Sequence, residues 1–230
     1  MIIPRPARER GHAEHGWLHA AHTFSFADYH DPAWMGFGAL RVLNHDRVEP
    51  GRGFAEHGHR DMEIVTYVLD GVLAHGDDMG NASEMRPGEV QLMSAGRGVR
   101  HSEFNASTVE PVELLQIWIL PSRTGTAPRY EQRAFPDAAG GFRLLVSPDG
   151  RDGSLTIGQD ARMLLATPVA GDELRHGLAP GRHAWVHVVR GRLGLGDLTL
   201  GPADGAGAHD ESEIVLTAEA PSEVLLFDVP

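Results

Sequence analysis

The chain has 230 residues, 41% of them hydrophobic, with 28 Gly, 15 Pro and no Cys, and its 20 Lys and Arg against 32 Asp and Glu give a formal charge of −12. It can bury a core and is not compositionally disordered, while the missing cysteines exclude disulfides, thiolate ligands and a cysteine nucleophile. The acidic balance repels phosphate backbones and argues against direct nucleic-acid binding.

At the start, Met1-Ile2-Ile3-Pro4-Arg5 turns polar at once, and no apolar run approaches the roughly 18 residues of a membrane span. A soluble, unprocessed chain without membrane association is expected, and the absence of Cys suits a reducing cytoplasm. His12, His15, His19 and His22 recur at near-helical spacing and are assigned no chemistry. Phe24, Phe26, Tyr29, Trp34 and Phe37 read first as core and second as the wall of a pocket for a planar ligand. Leu40 to Leu43, Ile64 to Leu69, Val90 to Met93 and Val112 to Leu120 are rich in β-branched, aromatic or long apolar residues and predict strands. Asp70-Gly71, Met79-Gly80-Asn81 and Arg86-Pro87-Gly88 predict the tight turns between them. Residues 121 to 141 carry Pro121, Pro128, Pro136 and Gly140-Gly141, the composition of a connection between domains. Beyond it, Phe142 to Val146, Ala184 to Val189, Glu213 to Thr217 and Glu223 to Val229 again predict strands, and no long amphipathic helix stands out. An all-β chain of two domains, 1–135 and 136–230, each of about 100 residues, follows.

The chemistry concentrates in two short stretches, His57-Gly58-His59 and, 42 residues on, His101-Ser102-Glu103. On extended strands, residues two apart share a face, so two strands can aim three imidazoles and a carboxylate at one point. Four protein ligands on an ion that accepts six leave two positions for water, oxygen or a chelating substrate. The first pair alone is weak, because 14 histidines in 230 residues produce about one His-x-His by chance. Its setting is specific: Gly51, five residues, His57-x-His59, three residues, Glu63, seven residues, Gly71; then Gly88 through Gly96 and Gly98 to His101, three residues, Asn105. These are the two motifs of the cupin barrel.

The resemblance is narrower than the superfamily. His22-Thr23-Phe24-Ser25-Phe26, Asp28-Tyr29, Met35-Gly36-Phe37-Gly38 and Leu40-Arg41-Val42 resemble the opening of the pirin family. His59-Arg60-Asp61-Met62-Glu63 and Met93-Ser94-Ala95-Gly96-Arg97-Gly98-Val99-Arg100-His101-Ser102-Glu103 resemble its bacterial quercetinase-type branch. The resemblance implies a bicupin fold, a metal in the first barrel only, and flavonol 2,3-dioxygenase activity, with release of CO, in some members. It assigns His57, His59, His101 and Glu103 as metal ligands, although spacing alone leaves Glu63 open as the carboxylate ligand, as in many cupins. Two features part from the general cupin pattern: Ser94 stands where proline is usual, and the carboxylate ligand moves to Glu103.

A site of three imidazoles and one carboxylate accepts one divalent cation among Fe(II), Mn, Co, Ni, Cu and Zn, and the resemblance implies Fe(II). Glu103 doubles as the candidate catalytic base, with a flavonol and O2 as substrates. The alternative that the same family implies is an iron-binding redox sensor or transcription-cofactor-like protein that engages a partner protein. His75 reads either as a hydrogen-bonding support for the ligands or as a surface residue, and Arg97 and Arg100 as loop charge. Laying Trp185 to Gly191 over Val65 to Gly71 puts Gly177 and Ala179 where His57 and His59 stand, leaving His209-Asp210-Glu211 as a His-x-Glu echo without its partner. The second domain is therefore expected to hold no metal.

Overall fold

The computed structural model describes residues 1–135, 138 and 140–230; Pro136, in the predicted connector and first in the expected second domain, lies outside the described residues. Among those residues the regular structure is strand apart from two short 3-10 turns, Ala7–Glu9 and Arg151–Gly153, and no helix is long and apolar enough to cross a membrane. The predicted strands are present: five are longer, at Leu40–Val48, Glu63–Asp70, Glu89–Ser94, His183–Arg190 and Glu213–Ala218, Val112–Ile119 ends one residue earlier, Arg143–Ser147 is shifted by one, and Glu223–Val229 is as predicted. Gly71, Gly80 and Gly88 turn the chain at φ of 78°, 93° and 85°, values that L side chains rarely adopt. The near-helical histidine spacing is not a helix: His12 and His19 to His22 lie on the paired strands Gly11–Glu14 and Leu18–His22.

Two barrels result, each a seven-stranded sheet faced by a four-stranded one. In the first, the large sheet runs Arg129–Ala134, Glu89–Ser94, Glu63–Asp70, Val112–Ile119, Leu40–Val48, Leu18–His22, Gly11–Glu14, and the small one Gly53–His59, Val99–Asn105, Leu73–Asp77, Ala82–Met85. In the second, the large sheet runs Ile2–Arg5, Gly205–Ala208, His183–Arg190, Glu223–Val229, Arg162–Ala166, Arg143–Ser147, Leu155–Thr156. The chain's opening strand thus completes the second barrel's large sheet, at the edge that Arg129–Ala134 takes in the first. Its Arg5 reaches back into the first barrel, where Nε donates to the Thr23 carbonyl at 3.1 Å, a terminal nitrogen donates to Tyr29 Oη at 2.8 Å, and the guanidinium lies 4.8 Å from the centre of the Trp34 ring.

The large sheets pack on each other, so their central strands are buried on both faces and read as unbroken apolar runs rather than alternating ones. Along Glu63–Asp70 the odd residues Val65, Tyr67 and Leu69 enter the core between the barrels, while Ile64 and Val68 join clusters inside the first. Phe24, Phe37 and Trp34 close on Trp185 of the second barrel at centroid distances of 4.9, 5.3 and 5.9 Å, so this part of the aromatic group is core. Gly207 is required here, because a Cβ on it would come within 2.3 Å of the Phe37 ring.

His187 faces this interbarrel core and is buried, with no hydrogen-bond partner at Nδ1. Burial, reinforced by Arg10 and His45, depresses its pKa to about 3. The unfolded chain takes up this proton below about pH 6.5 and the folded chain does not, so stability is lost as pH falls from 6.5 toward 3. By pH 5 the loss from this one group is about 2 kcal/mol. Denaturant titrations of His187→Gln between pH 7 and pH 5 should show a correspondingly shallower decline than the parent protein.

Candidate metal centre in the first barrel

His57 and His59 end the edge strand Gly53–His59, and His101 and Glu103 lie on its neighbour Val99–Asn105, where His101 pairs with His57. The pleat turns 57 and 59 to one face, and turns 101 and 103 to one face of the adjacent strand. The three imidazole rings stand 4.4, 4.8 and 4.9 Å apart. One nitrogen from each lies within 4.8 Å of the others, and His101 Nε2 is 3.0 Å from His57 Nε2. Two nitrogens that share an ion at about 2.1 Å and at right angles stand about 3.0 Å apart, so this spacing fits a common cation. His57 Nδ1 is 2.9 Å from the Ala55 carbonyl, so it carries the proton and leaves Nε2 as the lone-pair donor. Burial followed by the neighbouring rings depresses His59 to about 4 and His101 to about 3, which keeps these imidazoles neutral.

Glu103 is buried, accepts from Thr66 Oγ1 at 3.3 Å and from Gln116 Nε2 at 3.0 Å, and is pushed up to about 7 by burial against the opposing pull of those two bonds. It groups with His101 and His75 as a second set of possible ligands. His75, however, is held by its own partners: Nε2 meets Asp77 Oδ2 at 3.0 Å, Nδ1 faces Gln91, and the ring stacks on Tyr130. It does not line the cavity of about 220 Å³ onto which His57, His59, His101 and Glu103 all open. His75 is thus buried beside His101, the rings 5.4 Å apart, and not a surface residue, but its hydrogen bonds go to Asp77 and Gln91 rather than to a cluster residue.

Glu63, which spacing left open, does not face this cavity. Asp61 adopts φ of 50° and reverses the chain after His59, so Glu63 begins a new strand in the other sheet and its parity with His59 is lost. Its carboxylate points toward the second barrel, accepting from Ser94 Oγ at 2.7 Å, and a Cβ on Gly158 would come within 2.7 Å of it. The serine in place of the usual cupin proline thus supplies the hydroxyl that the Glu63 carboxylate accepts from.

Apolar walls complete the cavity, among them Ile64, Phe26 and Trp118, with Trp118 edge-on to His59 at 5.0 Å and to Phe26 at 5.4 Å. Phe26 is thus the member of the aromatic group that does line a pocket. Outside, Phe54 and His57 also border a groove of about 480 Å³ with Trp17 and Phe104. Arg97 and Arg100 are exposed and do not line the cavity, and Arg100 pairs with Glu56 at 2.8 Å. Sequence reasoning missed Asn44, Asp46 and Gln116, which also line it. Their signal was weak, because Leu40–Val48 also carries Arg41, His45 and Arg47, and Val112–Ile119 also carries Glu113, so these polar positions did not stand apart.

Strand registers make the two barrels comparable residue by residue. Thr66 pairs with Gln116 and Gln116 with Asn44, as Val186 pairs with Leu226 and Leu226 with Leu164; His75 pairs with Glu103 as Leu195 pairs with Leu216. Where the first barrel places its cavity polar groups and ligand, the second has Leu, Val and Ala in one continuous core. The echo residue His209 lies outside that interior, its Nδ1 3.2 Å from His183 Nδ1, and Glu211 binds the Met1 amino group instead.

The fold and site define a bicupin whose cluster of converging imidazoles lies in the first barrel. A family model described as Pirin matches residues 4–119, and one described as quercetinase C-terminal cupin domain matches residues 144–229. The chain belongs to the pirin family. It is 50% identical over 230 residues to quercetin 2,3-dioxygenase of Escherichia coli K12, covering 100% of this chain and 99% of that protein. A pirin-like protein of Caulobacter vibrioides is 43% identical over 231 residues, with 99% of each chain covered. The bacterial pirin YhhW of Escherichia coli, solved in complex with nickel(II), superposes with a TM-score of 0.97 at 49% identity, over 100% of this chain and 99% of that one.

Glu63→Gln should bind a divalent cation as the parent does and lose about 1 kcal/mol of stability with the Ser94 bond weakened. His101→Ala should bind it at least about tenfold more weakly, since two other rings converge on His101. Metal titration and chemical denaturation of the same two variants check both.

Proposed function

We propose that this pirin is a metal-dependent dioxygenase of the quercetin 2,3-dioxygenase type, with His57, His59, His101 and Glu103 as its metal ligands. The observation that carries the reading is three imidazoles converging beside a buried carboxylate on the wall of a partly open, apolar cavity. A divalent ion held by His57, His59, His101 and Glu103 would supply Lewis acidity that lowers the pKa of a substrate hydroxyl. The relative solved with nickel(II) supports a divalent ion, and among candidates Fe(II) is our choice on family resemblance. Glu103 is the base: its carboxylate accepts the substrate hydroxyl proton while Thr66 and Gln116 hold it in position. Phe26, Ile64 and Trp118 flank the reacting ring and exclude water. A cavity of about 220 Å³ is smaller than pockets that enclose a drug-sized ligand, roughly 300 Å³ and above, so the remainder of a three-ring substrate lies along Trp17, Phe54 and Phe104. The overall reaction joins the flavonol and O2 and yields a depside and CO.

The protein loaded in turn with each divalent ion, given quercetin with and without oxygen, tests this directly. Oxygen-dependent CO release is expected; none with any ion overturns the enzyme reading and leaves the partner-binding role. Glu103→Gln should still hold metal when loaded with excess ion, yet lower kcat by about 10²–10⁴. Unchanged flavonol consumption by that variant would reject the base assignment.

A further inference from the structure

The cavity carries more buried polar atoms than the metal cluster uses. Asp46 and Gln116, 4% and 8% exposed, stand on the paired strands Leu40–Val48 and Val112–Ile119 and both open onto it. Asp46 Oδ1 and Gln116 Oε1 have no hydrogen-bond partner, whereas Asn44 on the same wall interacts with His22. Buried acceptors left unpaired destabilise a fold, and this fold does not need them: the register-equivalent positions in the second barrel are Ala166 for Asp46 and Leu226 for Gln116. Their concentration on one wall of one barrel points to a ligand.

The chemistry of that ligand follows from the atoms. The amide nitrogen of Gln116 is committed to Glu103 at 3.0 Å, so Gln116 turns its oxygen to the cavity, and Asp46 also presents an oxygen. Beside these acceptors the cavity residues have unpaired nitrogens too, the Trp118 indole with its fixed proton and the Nδ1 atoms of His22 and His101. An anionic group meets two carboxylates here, Asp46 and Glu103, and is disfavoured. A hydroxyl suits both oxygens. Asp46 pairs with Leu114, and Gln116 is the next residue on the same face, which makes the two diagonal neighbours roughly 7 Å apart at Cβ, a separation two hydroxyls on one planar ring system bridge.

We propose that Asp46 and Gln116 form a hydroxyl-binding subsite, so that the preferred substrate is an uncharged planar compound carrying at least two ring hydroxyls besides the oxygens that chelate the metal. The proposal rests on the dioxygenase reading for the substrate's contact with the metal and adds which members of the flavonol class the site selects.

The test compares ligands that chelate identically and differ in the remaining hydroxyls. In the metal-loaded protein, quercetin should bind more than about tenfold tighter than 3-hydroxyflavone, as expected for a site built to pair hydroxyl groups. Asp46→Ala should reduce that ratio below about threefold by weakening quercetin alone, and Asp46→Asn, which keeps an acceptor oxygen, should restore most of it. Equal affinities in the parent protein, or equal losses for both ligands in Asp46→Ala, overturn the subsite. Because Asp46 lacks a partner in the fold, Asp46→Ala should raise Tm by a few degrees, and a lowered Tm would assign Asp46 to structure instead. A second pair of probes separates this proposal from its parent. Binding of resorcinol over phenol that disappears in Asp46→Ala, with no flavonol consumed, sustains the subsite and rejects the flavonol reading. Turnover of quercetin and 3-hydroxyflavone with equal efficiency sustains the flavonol reading and rejects the subsite.

Discussion

A sheet buried on both faces makes every one of its residues choose a side, and in this protein that choice separates chemistry from assembly. Along Glu63–Asp70, Val65, Tyr67 and Leu69 enter the core between the barrels, whereas Thr66 turns inward and holds Glu103. Slipping the strand by one residue would exchange these sets, taking the hydroxyl from the carboxylate and exposing the cavity to the aromatic side of the chain. The interbarrel core, with Trp185 closing on Phe24, Phe37 and Trp34, is what holds that register. Hydrophobic burial on one face thereby fixes polar geometry on the other.

The two barrels share one topology and have diverged in what fills them. The second packs Leu, Ile, Val and Ala through its interior, as a close-packed core should. In the first, the apolar interior is divided into two clusters, and histidines, carboxylates and amides occupy the gap between them. Neutral imidazoles tolerate that setting because burial and mutual repulsion keep protons off them, and the same deprotonated state is the one that binds a cation. Stability is conceded in the first barrel for a site, and the tight interior of the second supports the shared interface.

Much of this was legible from residues alone. The apolar runs gave the strands, Gly71 and Gly88 marked turns that need positive φ, and His57-Gly58-His59 with His101-Ser102-Glu103 named the cluster, because period-two alternation is a local property of an extended chain. The overlay of Trp185 to Gly191 on Val65 to Gly71 also holds in the strand registers, since both lie centrally in the large sheets. Asn44, Asp46 and Gln116 were visible only as polar interruptions, and nothing local distinguishes a cavity wall from an outward face.

Composition and local pattern were sufficient for an all-β chain of two domains and for which side chains have metal-binding chemistry, and the resemblance of its motifs to pirins supplied the bicupin fold. They were insufficient to turn Glu63 away from the cavity that Glu103 lines, to seat Ile2–Arg5 in the far barrel, or to bury His75 beside His101. Each of these depends on where a turn such as Asp61 redirects the chain and on which sheets then pack together. Those contacts join residues distant in order, so no spacing rule along the chain carries them.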